Sequence, residues 1–426
     1  MWNLGQGAGA FAVERAIRLI AVAPFLFFSI AGGVAAQAQP ASAAKRTTPP
    51  DGAAIQQALA AEKQGNFPAA EKAWQSVVKA QPGNAQGFAH LGLAQAREQK
   101  YPLAIASYRK AKQLNPAIPQ LDLNLGLALF KAGSFSEAID AFEAEKKSAA
   151  GPEVERLTVL LGMAHYGAHQ YDKAIPYLKQ AASRDEKNLP LRLSLAHCYL
   201  WTRQFEATMG VYKEILLIDP DSAEADMIAG EALDEKGDKT GAEDQFRAAE
   251  KANPKEPNVH FGLAYLLWTE KRYDEAIPEF DAELANDPDN NLAMIYLGDT
   301  YLQTAQYDKS KGILEKALGY KTANPLIHLD LGIVYQETGD KEAAVRELKR
   351  TVELEPDNVD AHFHLARVYQ TMGKKDEAKA EFAVSRSLNK KRDEGVHRQI
   401  EAANAPGAKP DQAADPQLPV PAAKPD

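Results

Sequence analysis

From Asp51 to Arg392 the chain repeats one arrangement of small, large apolar and polar positions ten times, with a period of about 34 residues. Inside each period the apolar positions follow the three-to-four spacing of helices and not the alternation of strands. Eight places into each period stand Ala58, Gly92, Gly126, Gly162, Ala196, Gly230, Ala264, Gly298, Gly332 and Ala366, small without exception. Sixteen places further stand Trp74, Tyr108, Phe142, Leu178, Tyr212, Phe246, Phe280, Leu314, Leu348 and Phe382, all large. Between them lies a second small slot, Ala70, Ala104, Ala138, Ala174, Thr208, Ala242, Ala276, Ser310, Ala344 and Ala378. A small residue on one helix lets a neighbouring backbone approach, and the bulky residue of the next helix fills the gap. Leu91, Leu125, Leu161, Leu195, Leu263, Leu297, Leu331 and Leu365 add core just before the first small slot. Each period therefore predicts helix, tight turn, helix. Gly65, Gly133, Gly237, Gly339 and Gly373 stand where the first helix should end in a left-handed cap. Pro82, Pro116, Pro220, Pro254, Pro288 and Pro356 stand where the second helix should stop. Modules of this size that bury their faces against their neighbours form a solenoid.

These residues resemble the tetratricopeptide repeat family, which carries this spacing of small, aromatic, alanine and proline positions. The resemblance covers residues 51–392, with repeats starting near residues 51, 85, 119, 155, 189, 223, 257, 291, 325 and 359. It implies an all-α fold, a right-handed superhelical α-solenoid of about ten helix-turn-helix repeats. One step, from 119 to 155, is 36 residues long, and its two extra residues fall near Ala149-Ala150-Gly151-Pro152, which predicts a local seam or hinge.

The ends differ in character. Arg15 and Arg18 precede an apolar stretch from Leu19 to Ile30, and Ala36-Gln37-Ala38 follows. That order predicts a secretory signal peptide over residues 1–38. The alternative is an uncleaved membrane anchor, since Leu19 to Ala36 gives 18 uncharged residues. No cysteine stands at the cleavage region, which argues against a lipid-anchored lipoprotein. Residues 39–50 read as a flexible linker, and residues 405–426, with six prolines and six alanines, as a disordered tail. Residues 393–404 are expected to form a short capping helix, with Val396 and Ile400 on one face.

The single cysteine, Cys198, excludes an intramolecular disulfide framework and reads as a buried small hydrophobe. The 49 basic and 58 acidic residues give a net charge of −9. Loss of Glu14, Arg15 and Arg18 with a signal would leave 47 and 57, a net of −10. Neither balance suits phosphate-driven nucleic-acid binding or a polybasic membrane patch.

Catalytic signatures are absent: the chain has no glycine-rich phosphate loop, His-Glu-x-x-His, Cys-x-x-Cys or Gly-x-Ser-x-Gly. The expectation is a non-enzyme without cofactor or metal. His260, His328 and His362 share the fourth place of their repeats, which argues for packing. His165 and His169 are four apart, a spacing able to hold a metal, with His197 of the next repeat as the only third ligand in prospect. Packing or surface roles are the favoured reading.

In the family the first helices line a concave groove, with places 2, 5, 9 and 12 or 13 facing the ligand. The resemblance therefore implies a partner-binding groove of Leu123, Leu127, Phe130, Val159, Met163, Tyr166, Leu193, His197, Leu200, Trp201, Phe261, Tyr265 and Trp268, interrupted in the sixth repeat by Met227, Glu231, Asp234 and Glu235. The alternative reading of this stripe is core between helices. Relatives that clamp a peptide carboxylate use Lys and Asn at places 5 and 9, where this chain has Ile55, Leu59, Ala89, Leu93, Leu123 and Leu127. Trp201, Tyr265 and Trp268 are the leading candidates for contact. The function expected is a non-enzymatic protein-interaction scaffold, periplasmic or secreted, binding a protein or peptide partner and no nucleic acid. The alternative is a structural component of a membrane-associated envelope assembly of the polysaccharide- or pilus-export type.

Overall fold

In a computed structural model describing residues 50–320 and 323–403, those residues form 20 helices and no strand. Contacts gather the chain into two compact bodies that divide between Pro220 and Asp221. Each contains five helix pairs packed in series: Pro50–Lys63 through Phe205–Leu216 in the N-terminal body, and Ala223–Glu235 through Lys375–Ala403 in the C-terminal body.

The small and large slots meet inside the six pairs whose small residue is glycine. A Cβ added to Gly92 would stand 2.7 Å from the Tyr108 ring, and one added to Gly126 only 2.5 Å from the Phe142 ring. Gly162 faces Leu178, Gly230 faces Phe246, Gly298 faces Leu314 and Gly332 faces Leu348 in the same manner. Tyr108, Phe142, Leu178, Phe280, Leu314 and Leu348 have no exposed surface. Each such side chain removed from water contributes about 1.5–3 kcal/mol. Thr208 and Ser310 occupy the second small slot without penalty, because their hydroxyls donate to the Gln204 and Gly298 carbonyls. Phe382 of the tenth repeat is only half-buried, and Phe363 and Val384 are exposed, as expected of a terminal module with no further pair against it among the described residues.

The turns are more uniform than their residues. The fifteenth place has positive φ in all ten repeats: Gly65, Gly133, Gly237, Gly339 and Gly373, but also Gln99, His169, Arg203, Lys271 and Ala305. Asparagine or aspartate then caps many helices. Asn84, Asn188, Asn290 and Asn358 accept a hydrogen bond from the third helical amide, a contribution of about 1 kcal/mol each.

The longer step between the third and fourth repeats is taken up by Gly151, at φ +59°, and by a 16-residue helix, Pro152–Gly167. The last helix departs from expectation. Lys375–Ala403 is one continuous 29-residue helix, so residues 393–403 extend the second helix of the tenth repeat and form no separate cap. The place where six earlier repeats carry proline is Lys390 here, and nothing before Gly395 disfavours helix. The signal, the linker but for its last residue, the tail, and the side chains of Val396 and Ile400 lie outside the described residues.

Candidate functional site

At three junctions within the two bodies, successive first helices touch through the same pair of places. The sixth place of one repeat meets the twelfth of the repeat before it. His90 Nδ1 lies 3.0 Å from Glu62 Oε2, the Tyr296 ring centre 4.9 Å from that of Trp268, and His364 Nδ1 3.1 Å from Gln336 Oε1.

In the C-terminal body the seam collects an aromatic cluster. Tyr265 and Trp268 are one turn apart on Val259–Thr269, with ring centres at 5.3 Å, and Tyr296 of the next first helix, Asn291–Gln303, packs edge-on to Tyr265 at 5.0 Å. Phe261 lies beneath, 6.3 Å from Tyr265. The indole N–H of Trp268 donates to Asp299 Oδ2 at 2.5 Å, and Gln303 donates to the other oxygen at 3.0 Å. Burial pushes the Asp299 carboxyl above the usual carboxylate range, against the pull of these two donors. Asp330 of the ninth repeat is fully buried nearby, and burial, reinforced by the Asp299 charge, pushes its carboxyl well above the usual range. Burial also raises the Tyr265 phenol, as do Tyr296 and the charges of Asp234 and Glu235. The charges of Asp234 and Glu235 of the sixth repeat therefore act on the aromatic cluster.

The N-terminal body has its own cluster. Tyr171 stacks on Trp201 at 5.9 Å and 18°, and Tyr166 lies 6.0 Å from Tyr171 and 6.4 Å from His197. Burial pushes the Tyr171 phenol up to about 12, with a smaller contribution from Cys198.

Of the groove residues implied by the resemblance, His197, Trp201, Tyr265 and Trp268 are half-buried, and Val159 likewise. Leu123, Leu127, Phe130, Met163, Tyr166, Leu193, Leu200 and Phe261 are buried in packing between helices and present almost no surface. In the sixth repeat Met227, Glu231, Asp234 and Glu235 are half-buried, and Lys239 pairs with Asp234. Tyr171 and Tyr296 complete the clusters from the seventeenth and sixth places, outside the groove places, whereas Asp299 stands at the ninth, a groove place of the eighth repeat missing from the implied set. What signals Tyr296 in the sequence is a tyrosine in a slot that elsewhere holds Leu160, Ser194 or Gly262.

Two models of the tetratricopeptide repeat match the chain, one over residues 55–119, 113–153, 229–291 and 329–386, the other over residues 165–231 and 267–318. The chain belongs to the tetratricopeptide repeat family.

Several solved structures are similar to this chain at low identity. YrrB, described as having an unusual peptide-binding site, is 19% identical, with 47% of this chain and 99% of that one covered and a TM-score of 0.39. A tetratricopeptide repeat protein from Parabacteroides merdae is 18% identical over 58% of this chain and 97% of its own, with a TM-score of 0.44. MamA is 21% identical over 39% of this chain and 96% of its own, with a TM-score of 0.36. No curated protein matches the chain.

Beyond His90 and His364 at the seam, six histidines of this tetratricopeptide array fall into two sets. His165, His169 and His197 form no metal-ligating group among the described residues. His165 bonds Gln170 and stacks on Tyr177, and burial lowers its basicity. His169 sits on the left-handed turn and bonds the Tyr171 hydroxyl at 2.7 Å. His260, His328 and His362, by contrast, each face a glutamate from the second helix of the same repeat, Glu279, Glu347 and Glu381, at 2.8, 2.9 and 2.6 Å. The fourth place is therefore a polar bridge between the two helices of a repeat, where the sequence suggested plain packing. No helix of the described residues is long and apolar enough to cross a membrane.

Proposed function

We propose that this tetratricopeptide protein is a non-enzymatic scaffold acting outside the cytoplasm, and that it grips a partner segment bearing basic and apolar side chains. Tetratricopeptide proteins generally act as protein-interaction scaffolds. The observation that carries the finer reading is the half-buried Tyr265–Trp268–Tyr296 cluster, with Asp299 beneath it and the charges of Asp234 and Glu235 beside it. Ring faces attract a cation, by about 0.5–2 kcal/mol depending on desolvation. Adjacent carboxylates add attraction and penalise an acidic competitor. Half-buried aromatics with fixed neighbours lose little entropy on binding, as anchors of protein interfaces do. The Tyr171–Trp201 stack supplies a second apolar anchor within the N-terminal body. The extracytoplasmic location rests on the order of charge, apolar stretch and small residues over 1–38.

Fluorescence anisotropy with two labelled peptides, one rich in arginine and leucine and one in aspartate and leucine, tests the site. The basic peptide should bind at least tenfold more tightly, and Trp268→Ala should cost it about tenfold, as loss of an interface anchor does. Equal affinities, or an unchanged affinity in Trp268→Ala, would overturn this reading. The intact mass of the protein recovered from the cell envelope tests the location: retention of residues 1–38 in a cytoplasmic fraction refutes it.

A further inference from the structure

Three consecutive helices of the C-terminal body bring Glu250, His260 and Glu279 to one point, their ligand atoms all within 4.8 Å of one another. Glu250 comes from Lys239–Ala252, His260 from Val259–Thr269 and Glu279 from Tyr273–Asn286. His260 Nε2 lies 3.1 Å from the Pro254 carbonyl oxygen, which can only accept, so this nitrogen carries a hydrogen. A neutral ring then has its lone pair on Nδ1. That nitrogen faces Glu279 Oε2 at 2.8 Å and Glu250 Oε1 at 4.0 Å. A lone pair and two carboxylates converge with no donor among them, an arrangement that a cation placed between them would satisfy.

The tenth repeat supplies an internal control. His362 makes the same two contacts, Nδ1 to Glu381 Oε2 at 2.6 Å and Nε2 to the Pro356 carbonyl at 3.0 Å. The place of Glu250 is Val352 there. One carboxylate against one imidazole is balanced by a proton shared within an ion pair. The second carboxylate of the seventh-repeat site leaves a negative charge that this proton does not match, and a dication does. Locking one ring nitrogen onto a backbone carbonyl is also how proteins orient a histidine whose other nitrogen binds metal.

We propose that Glu250, His260 and Glu279 bind a divalent transition ion of the zinc class, which staples the sixth repeat to the seventh. Imidazole with carboxylates selects such an ion over magnesium or calcium. Donors about 2.1 Å from a tetrahedral zinc stand about 3.4 Å apart, so the ion draws Glu250 inward and Glu279 slightly outward. Glu250, at 33% side-chain exposure, has the freedom to move.

The full chain, stripped with a chelator, is titrated with zinc chloride by calorimetry. One zinc per chain is expected, with at least tenfold weaker binding in Glu250→Gln and unchanged binding in His362→Gln. The wild-type thermal midpoint should rise with zinc, and that of Glu250→Gln should rise less. Zinc binding as tight in Glu250→Gln as in the wild type overturns the proposal, as does a loss of binding in His362→Gln. No zinc binding at all also overturns it and leaves a proton-bridged pair like that of His362.

Discussion

The five non-glycine residues at the fifteenth place hold strain that glycine would release. Ala305 ends a first helix at φ +56°, exposed. A non-glycine residue in this region costs about 1–2 kcal/mol. Ala305→Gly removes that cost and adds unfolded-chain entropy of about 0.4–1 kcal/mol. The net expected gain is about 0.5–1 kcal/mol. The reciprocal change is Gly237→Ala, at φ +84°, where an added Cβ meets nothing within 4 Å. Its cost therefore comes from the backbone alone and should be about 1 kcal/mol in the opposite sense. Urea unfolding followed by far-ultraviolet circular dichroism checks both, with tryptophan fluorescence as a second probe. Repeat arrays unfold with limited cooperativity, so midpoints are compared at unchanged slope. Ala305→Gly combined with Lys271→Gly should be additive, since the two turns share no partner. A lower midpoint for Ala305→Gly would show that the left-handed turn carries no strain, and the argument would fail.

Other perturbations separate contact from propensity. Gly126→Ala drives a methyl into the Phe142 ring at 2.5 Å, at a cost of about 1–3 kcal/mol set against a helix-propensity gain of about 1 kcal/mol. Gly312→Ala, exposed in mid-helix with nothing within 4 Å, keeps only the gain, so the two midpoints should move in opposite directions. Glu62→Ala strips the acceptor from the Trp74 indole, 2.7 Å away, and from His90. It should destabilise the first repeats by about 1–3 kcal/mol, and a neutral result in thermal melts would contradict the pairing. Cys198 is buried with its thiol pushed up by that burial. It should react with an aromatic disulfide only after denaturation, and fast labelling of the native chain would place it elsewhere.

The repeat was legible in the sequence because its signal is redundant: ten small residues face ten large ones, and one degenerate copy does not hide the phase. The left-handed turns were legible only at the five glycines. Gln99, His169, Arg203, Lys271 and Ala305 say nothing of φ by themselves, and only their shared phase with the glycines reveals it. The inner row was legible as a stripe but not in its division between core and surface. Leu123 and Tyr265 occupy neighbouring places of the same pattern, yet one is buried and the other half-open. That difference depends on what stands across the seam in the next repeat, which a place-by-place assignment does not see. Tyr296 was missed for this reason, and so was the pairing of each fourth-place histidine with a glutamate 19 residues on.

At the junctions where its contacts are seen, the sixth place varies while the eighth stays small and the twenty-fourth large. The seam between the seventh and eighth repeats is closed by aromatic rings. The next seam places Asp330 near Asp299, and Asp330 Oδ2 is buried without a hydrogen-bond partner among the described residues. Burial raises both carboxyls, so the folded state favours their protonated forms. This contribution to stability is complete below the ordinary carboxylate range and is lost as pH climbs through the raised folded values. Repeats eight and nine should therefore loosen as pH rises from the ordinary carboxyl values, near 4, through the raised folded ones. Hydrogen exchange, corrected for its intrinsic pH dependence, should show protection in Asn291–Gln303 and Pro325–Thr338 falling over that range. Asp330→Asn, which keeps the shape of the neutral acid, should flatten most of the change. If the variant keeps the wild-type slope, Asp330 is not the group responsible, and the seam owes its strength to packing alone.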